Sequence, residues 1–341
     1  MRGKGITYDT GFVAGPGHST REPFDPDVVR REMQVIRTDL HCTAVRITGG
    51  RQDRLETAAG YAAEAGLEVW YSPFTCDLTT GELLDFLADG AGRAERLRRD
   101  GAEVVLLTGS ELSLFTVGFL PGDTLDERLA LLAEPARLRE ALAEVPARVN
   151  DFLAHAVKTV RGSFGGKVSY ASLPMDGVDW TPFDIVSSDA GYRNAEIAPR
   201  FRDDIRAAVR RGKPLAITEF GCTTHRGAAD LGGRGDMIVE WGGDGRPVRL
   251  VGDHVRDEEE QAAYLRELLD VFTAEGVDTA FVNTFARYDL PHRDDPREDF
   301  DLASYGVVKV LEGGRTGEAY PGLPWEPKAA FTALAAYYRG A

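Results

Sequence analysis

The chain has 341 residues, 43% of them hydrophobic, and a formal net charge of −15. That hydrophobic fraction is ample for a packed core and excludes a disordered chain. The acidity is spread along the whole length and speaks against nucleic acid or anionic membranes as partners, because phosphate binding needs a basic face. No apolar run approaches the ~20 residues of a membrane span. The N-terminus MRGKGITYDTGF passes straight into a strand-like segment rather than a secretory signal. Cys42, Cys76 and Cys222 are odd in number, far apart and without CxxC spacing, so they read as free thiols in a reducing compartment. A cytoplasmic location is expected. The excess of Arg over Lys, with abundant Ala, points to a GC-rich bacterial genome.

Short β-branched runs recur at regular intervals, separated by amphipathic helical stretches. ITYDTGF (6–12) is the first strand. AVRITGG (44–50) follows a helix around DPDVVRREMQVIRTD, with Asp25 as N-cap and Pro26 at the first helical position. EVWYSPF (68–74) follows LETAAGYAAEAG, whose Gly66 suits a helix C-terminus. VVLLTGSE (104–111) follows a long helix that again stops at a glycine. KVSYASLP (167–174) comes after ARVNDFLAHAVKTVRG, and FDIVSSDAGYR (183–193) after a connection poor in helix. PLAITEFG (214–221) follows APRFRDDIRAAVRRGK, and TAFVNTFAR (279–287) follows EEEQAAYLRELLDVFTAEG. WEPKAAFTALAAYYRG closes the chain as the eighth helix. Eight strands alternating with helices predict an α/β fold, a single (β/α)8 TIM-barrel domain over residues 1–341. No GxGxxG or GxxxxGK[ST] follows any strand, so a nucleotide-binding sheet has no support.

Two loops exceed what connection requires. Residues 222–256 contain MIVEW and PVRLV flanking a Gly-Asp-Gly turn, a hairpin insertion on the C-terminal face. The second is DLPHRDDPREDFDLASYG after strand eight. A barrel builds its active site from the loops on that face.

Two glutamates end two of the strands: Glu111 in VVLLTGSE and Glu219 in PLAITEFG, the latter on an inward-facing track of Ile-Thr-Glu-Phe-Gly. A buried strand end is a costly place for an unpaired carboxylate. Two of them on one barrel face are equipment for acid/base and nucleophilic chemistry at an acetal carbon, with carboxyls ~5–5.5 Å apart in retaining enzymes and ~6.5–9.5 Å in inverting ones. The six histidines form no HxH, HxxxH or HExxH pair, so no metal or other cofactor is expected. His18, His225 and His292 fall in C-terminal-face loops, where solvation explains them as well as substrate does.

These residues resemble a clan A glycoside hydrolase of the cellulase/β-glycosidase superfamily. The matching pieces are AVRITGG on strand two, VVLLTGSE on strand four, ITEFG on strand seven and the ending DLASYGVVKV…WEPKAAFTALA. The resemblance implies a retaining glycosidase with Glu219 as nucleophile and Glu111 as general acid/base. With neither a secretory signal nor an appended carbohydrate-binding module read in the sequence, a small glycoside rather than a polymer is expected. Arg46 then corresponds to the strand-two arginine that orients the nucleophile, and Tyr192 to a tyrosine donating to it. Three departures stand out. Ser110 occupies the place of the asparagine that holds the sugar 2-hydroxyl, strand three reads WYSPF without a histidine, and strand eight carries Asn283, Phe285 and Arg287 without the usual tryptophan. Phe285 and Trp241 are candidate stacking surfaces, with core packing and hairpin packing as their alternatives. Arg287 is a candidate substrate contact. A sugar isomerase, a lyase on a natural-product intermediate and a ligand-binding pseudoenzyme remain alternatives, since barrels host many chemistries.

Overall fold

Eight runs rich in strand formers pair side by side: β1 (Gly3–Asp9), β2 (Ala44–Gly49), β3 (Glu68–Pro73), β4 (Val104–Ser110), β5 (Lys167–Ala171), β6 (Val186–Ser188), β7 (Leu215–Phe220) and β8 (Thr279–Val282). The computed structural model describes residues 1–14 and 18–340. The strands lie in the order β5-β4-β3-β2-β1-β8-β7-β6, and every neighbouring pair is parallel. Between β5 and β6 the ring closes through a single parallel bridge, Ser172 to Ser188, and a 2.6 Å contact between the hydroxyls of Ser169 and Ser187. The result is a (β/α)8 barrel.

Side-chain alternation divides the apolar residues between two cores. Inside the barrel, Ala44, Trp70, Val105, Leu107, Ala216 and Phe281 pack together, Trp70 meeting Phe281 edge-on at 4.9 Å. Small and large residues complement one another there: a Cβ on Gly5 of β1 would collide with the Phe281 ring, so only glycine leaves that ring room. Outward-facing Ile6, Val45, Ile47, Val69, Leu106 and Ile217 form the larger core beneath the helices.

Helix α1 (Pro26–Thr38) begins as its sequence requires, with the Asp25 side chain accepting from the Asp27 N–H at 2.9 Å and Pro26 in the first turn. It buries Val29, Met33 and Ile36, one stripe at helical spacing. Helices α2 (Gln52–Glu64), α3 (Thr80–Arg99), α4 (Val145–Arg161), α5 (Ala198–Val209), α6 (Glu258–Glu275) and α7 (Ala329–Gly340) complete the outer layer. Among the described residues, seven long helices rather than eight cover the barrel. The connection from β5 to β6 holds only the 3₁₀ turn Pro174–Asp176 among its helical elements, so the closing segment supplies the seventh. Among the described residues no helix is long and apolar enough to cross a membrane.

Three connections on the C-terminal face are elaborated. The β4–α4 segment, which the sequence pattern did not single out, carries the short helices Leu112–Phe115, Leu125–Leu132 and Pro135–Leu142. After β7, the turn Gly232–Ile238 leads into Val239–Trp241, which pairs antiparallel with Pro247–Leu250. Val239 and Leu250 of that pair pack on Leu290, Phe300 and Leu302 from the loop after β8.

Candidate active site

Both glutamates sit at a break in strand pairing, Glu111 just after one and Glu219 within another. On β4, Leu107 lies opposite Ser169 and the next partners are Ser110 and Ala171, so three steps on β4 match two on β5. Gly109 sits in this bulge at φ +112°, a conformation glycine adopts readily. On β7, Ile217 lies opposite Ala280 and Phe220 opposite Val282, again three steps against two. The track proposed for Glu219 therefore needs correcting. Ile217 points outward into the helix-facing core while Ala216 packs inside the barrel. It is the bulge, not plain alternation, that turns Glu219 toward the barrel mouth. Glu111 itself has a left-handed backbone, φ 48°. Its N–H donates to the Ala171 carbonyl at 2.9 Å, and the next N–H, of Leu112, donates to the Tyr170 hydroxyl at 2.8 Å.

Arg46 on β2 is fully buried and spends its guanidinium on six oxygens. Nη1 donates to Glu219 Oε1 and Asp189 Oδ1, each at 2.9 Å, and to the Thr218 carbonyl at 3.0 Å. Nη2 donates to Ser110 Oγ at 2.7 Å and to Asp189 Oδ2 at 3.4 Å, and Nε to Ser72 Oγ at 3.1 Å. The other oxygen of Glu219, Oε2, accepts from the Tyr192 hydroxyl at 2.9 Å and from Asn283 Nδ2 at 3.3 Å. Asn283 also donates to Tyr192 at 2.6 Å, fixing that hydroxyl's direction. Glu219 is thus oriented from β2, from the loop after β6 and from the end of β8. Among the described residues no side chain or N–H donates to the Glu111 carboxyl.

Burial, then the charge of Asp189, pushes Glu219 up to about 7, against the opposing pull of Arg46 and Tyr192. Burial also drives Glu111 well above the ordinary carboxyl range, and Asp189 and Glu219 add to it. Asp189 is itself raised by burial, with Arg46 opposing. Asp189 and Glu219 thus share one guanidinium with Glu111 unbonded beside them, and burial raises all three carboxyls.

A cleft of about 750 Å³ opens over this group, with Glu111, Asp189, Tyr192, Glu219 and Asn283 in its wall. Phe12, Phe74 and Phe115, mutually stacked at centroid distances of 4.8–5.5 Å, also line it. Of the residues singled out from sequence, Glu111, Glu219, Tyr192 and Arg287 line this cleft. Arg46 lies directly beneath it on Glu219. Ser110 is buried and gives its hydroxyl to Arg46, so it does not face the cleft. Phe285 is fully buried with its ring 5.3 Å from Trp325, so it packs in the core. Trp241 is 41% exposed on the outer hairpin and is not part of the cleft wall. Sequence reasoning missed Asp189 and the part played by Asn283, and also Asp9 and Asp236, which line the cleft. Asp9 ends β1 and Asp189 follows β6, and the C-terminal end of a barrel strand was the available signal.

No protein-family model matches the sequence, and no curated protein does. Solved structures do. A GH113 β-1,4-mannanase superposes with a TM-score of 0.63 at 16% identity, with all of both chains covered. The GH113 β-mannanase of Alicyclobacillus acidocaldarius, in complex with ManMIm, gives 0.58 at 16% identity over 99% of this chain and 97% of that one. The chain folds as a glycoside hydrolase-like barrel. The same barrel recurs in the β-glucuronidase of Parabacteroides merdae, with a TM-score of 0.59 at 14% identity over 99% of this chain and 36% of that one.

Proposed function

We propose that this chain is a retaining glycoside hydrolase acting on a small glycoside, with Glu219 as nucleophile and Glu111 as general acid/base. The observation that carries the reading is the unequal treatment of the two carboxyls. Glu219 receives hydrogen bonds from Arg46, Tyr192 and Asn283, which stabilise and aim its charged form. Glu111 stands in the same cleft with a raised pKa and without such donors, the condition under which a carboxyl keeps a proton to give. In the first step Glu219 attacks the anomeric carbon while Glu111 passes its proton to the departing oxygen. In the second, Glu111 takes a proton from water, whose oxygen displaces Glu219 from the sugar. The fold shared with GH113 mannanases supports the sugar-like class of ligand. Isomerase, lyase and ligand-binding readings would use the same residues without a covalent glycosyl intermediate.

The test is a panel of activated aryl glycosides. Glu219→Gln keeps the side-chain shape but is no nucleophile, so turnover should fall by on the order of 10³ or more. Glu111→Ala should lose less on substrates whose leaving group needs no protonation, and azide should restore part of its rate by attacking the glycosyl-enzyme. Equal turnover by wild type and Glu219→Gln refutes the assignment.

A further inference from the structure

The cleft has a second charged group, in which Asp289, Asp236 and Asp9 act on Arg287. Asp9 ends β1, Asp236 lies in the turn after β7, and Arg287 and Asp289 follow β8. Arg287 looks at first like a receptor for an anionic substrate. One edge of its guanidinium is already taken: Nε donates to Asp289 Oδ1 at 2.8 Å and Nη2 to Asp289 Oδ2 at 2.6 Å, a two-pronged pair that uses the edge best suited to a carboxylate. Asp289 is almost fully buried, so the pair is shielded from solvent.

From this geometry we infer that the Asp9–Asp236–Arg287–Asp289 wall makes the cleft selective for uncharged glycones and closes it to uronates. The inference rests on the glycosidase reading and deepens it. Five carboxyls line the cleft, from Asp9, Glu111, Asp189, Glu219 and Asp236, against two guanidiniums, from Arg234 and Arg287. Arg234 stands at the exposed rim and donates to Glu196 at 3.3 Å. Arg46 is taken up by six oxygens. No lysine or histidine lines the cleft among the described residues, and the four others are Gly15, Pro16, Gly17 and Ala341, which carry no charged side chain. A sugar carboxylate would find the Nε–Nη2 edge of Arg287 occupied and acidic groups around it, an arrangement that discriminates by repulsion as much as by attraction. Among the described residues the Asp9 carboxylate accepts from the Gly11 N–H at 2.8 Å and the Thr20 hydroxyl, which leaves lone pairs for sugar hydroxyls. Burial already pushes the Asp9 and Asp236 carboxyls upward, and the charge of Asp289 adds to both, so a further anion is opposed. Because mannanases and β-glucuronidases share this barrel, the fold by itself does not decide between neutral and acidic sugars, whereas the wall does.

The probes are phenyl 1-thio-β-D-glucoside, its manno epimer and phenyl 1-thio-β-D-glucuronide, which resist hydrolysis. The first and third differ only in CH2OH against COO⁻. Calorimetric titration of wild type at pH 7.5 should show a neutral thioglycoside binding at least ~10-fold tighter than the uronide, a difference of ~1.4 kcal/mol. Asp289→Asn frees the Arg287 fork, and Asp9→Asn removes a facing charge. The double variant should therefore bind the uronide ~10-fold or more better than wild type, a gain that misfolding cannot mimic. Should the double variant fail to fold, Asp289→Asn alone should shift the ratio in the same direction. Uronide binding equal to or tighter than neutral binding in wild type overturns the inference. So does a ratio unmoved by these variants, or no binding of any thioglycoside. Neutral-selective binding without turnover of any aryl glycoside would uphold the wall and sink the hydrolase reading instead.

Discussion

Asp189 and Arg46 pull on Glu219 in opposite directions, and replacing each gives opposite signatures. Asp189 sits on the same Nη1 as Glu219, and its charge is the first cause after burial of the upward displacement of both Glu219 and Glu111. Asp189→Asn should therefore lower both carboxyl pKa values, moving both limbs of the kcat/KM pH profile to lower pH. Arg46→Met removes the main opposing charge, so the acid limb should move up from about 7 and activity at pH 6 should collapse. The pH profiles of the two variants decide this, because a residue with only a packing role would lower the curve without sliding it. Breaking a buried ion pair from one side typically costs ~3–5 kcal/mol. Here the stranded carboxyls can take up protons, so the Arg46→Met cost should shrink as pH falls, and urea unfolding at pH 5 and 8 measures the difference.

At the level of strands and turns, the two bulges decide whether there is a site at all. Gly109→Ala puts a side chain at φ +112°, with its Cβ 2.9 Å from Leu112 Cδ2. It should cost ~1–3 kcal/mol in denaturant unfolding and lower kcat by displacing Glu111. The elements themselves were legible. Periodic β-branched runs placed all eight strands, Asp25 and Pro26 gave the start of the first helix, and the poor helical pattern before strand six matched a connection with only one 3₁₀ turn. The strand-end glutamates were legible because a charge closing an apolar strand is an anomaly that demands a partner, and Arg46 through the family resemblance. The bulges were not, because a bulge is a property of two strands in register and neither strand alone encodes it. Ser110, Phe285 and Trp241 were misplaced for related reasons. A hydroxyl beside a catalytic residue can face its neighbours or the cleft, and an aromatic near a strand end can stack on substrate or fill the core. Only the packing decides. Asp289 illustrates the converse: two residues after Arg287, it reads as one more surface acid until the fork between them is seen.

Over the whole molecule, a site rich in raised carboxyls is a burden on stability. The folded state holds the Glu219 proton more tightly than the ordinary value of 4.5 would allow, up to about 7. This contribution favours folding below about pH 4.5 and is lost as pH rises through 7. Glu219→Gln carries no such charge, so its Tm should exceed that of wild type by ~2 °C or more at pH 8 and converge toward it near pH 4.5. Scanning calorimetry at both pH values checks this. A Tm for Glu219→Gln below that of wild type at pH 8 would show that the charge is well solvated in the fold. The junction between β5 and β6 has a further consequence. Seven of the eight strand pairs are joined by ladders, two of them bulged, whereas this one has a single bridge, two backbone hydrogen bonds (Asp184 N–H to the Val168 carbonyl and Asp189 N–H to the Ser172 carbonyl) and serine hydroxyls, with no full helix laid across it. Because its ladder is the sparsest, deuterium should enter the amides of Tyr170 and Ser187 before those of β2 and β3. Glu111 hangs from the Ala171 carbonyl on one side of that gap, and Asp189 follows the strand on the other. An opening at this junction would alter the spacing of the carboxyls across the cleft.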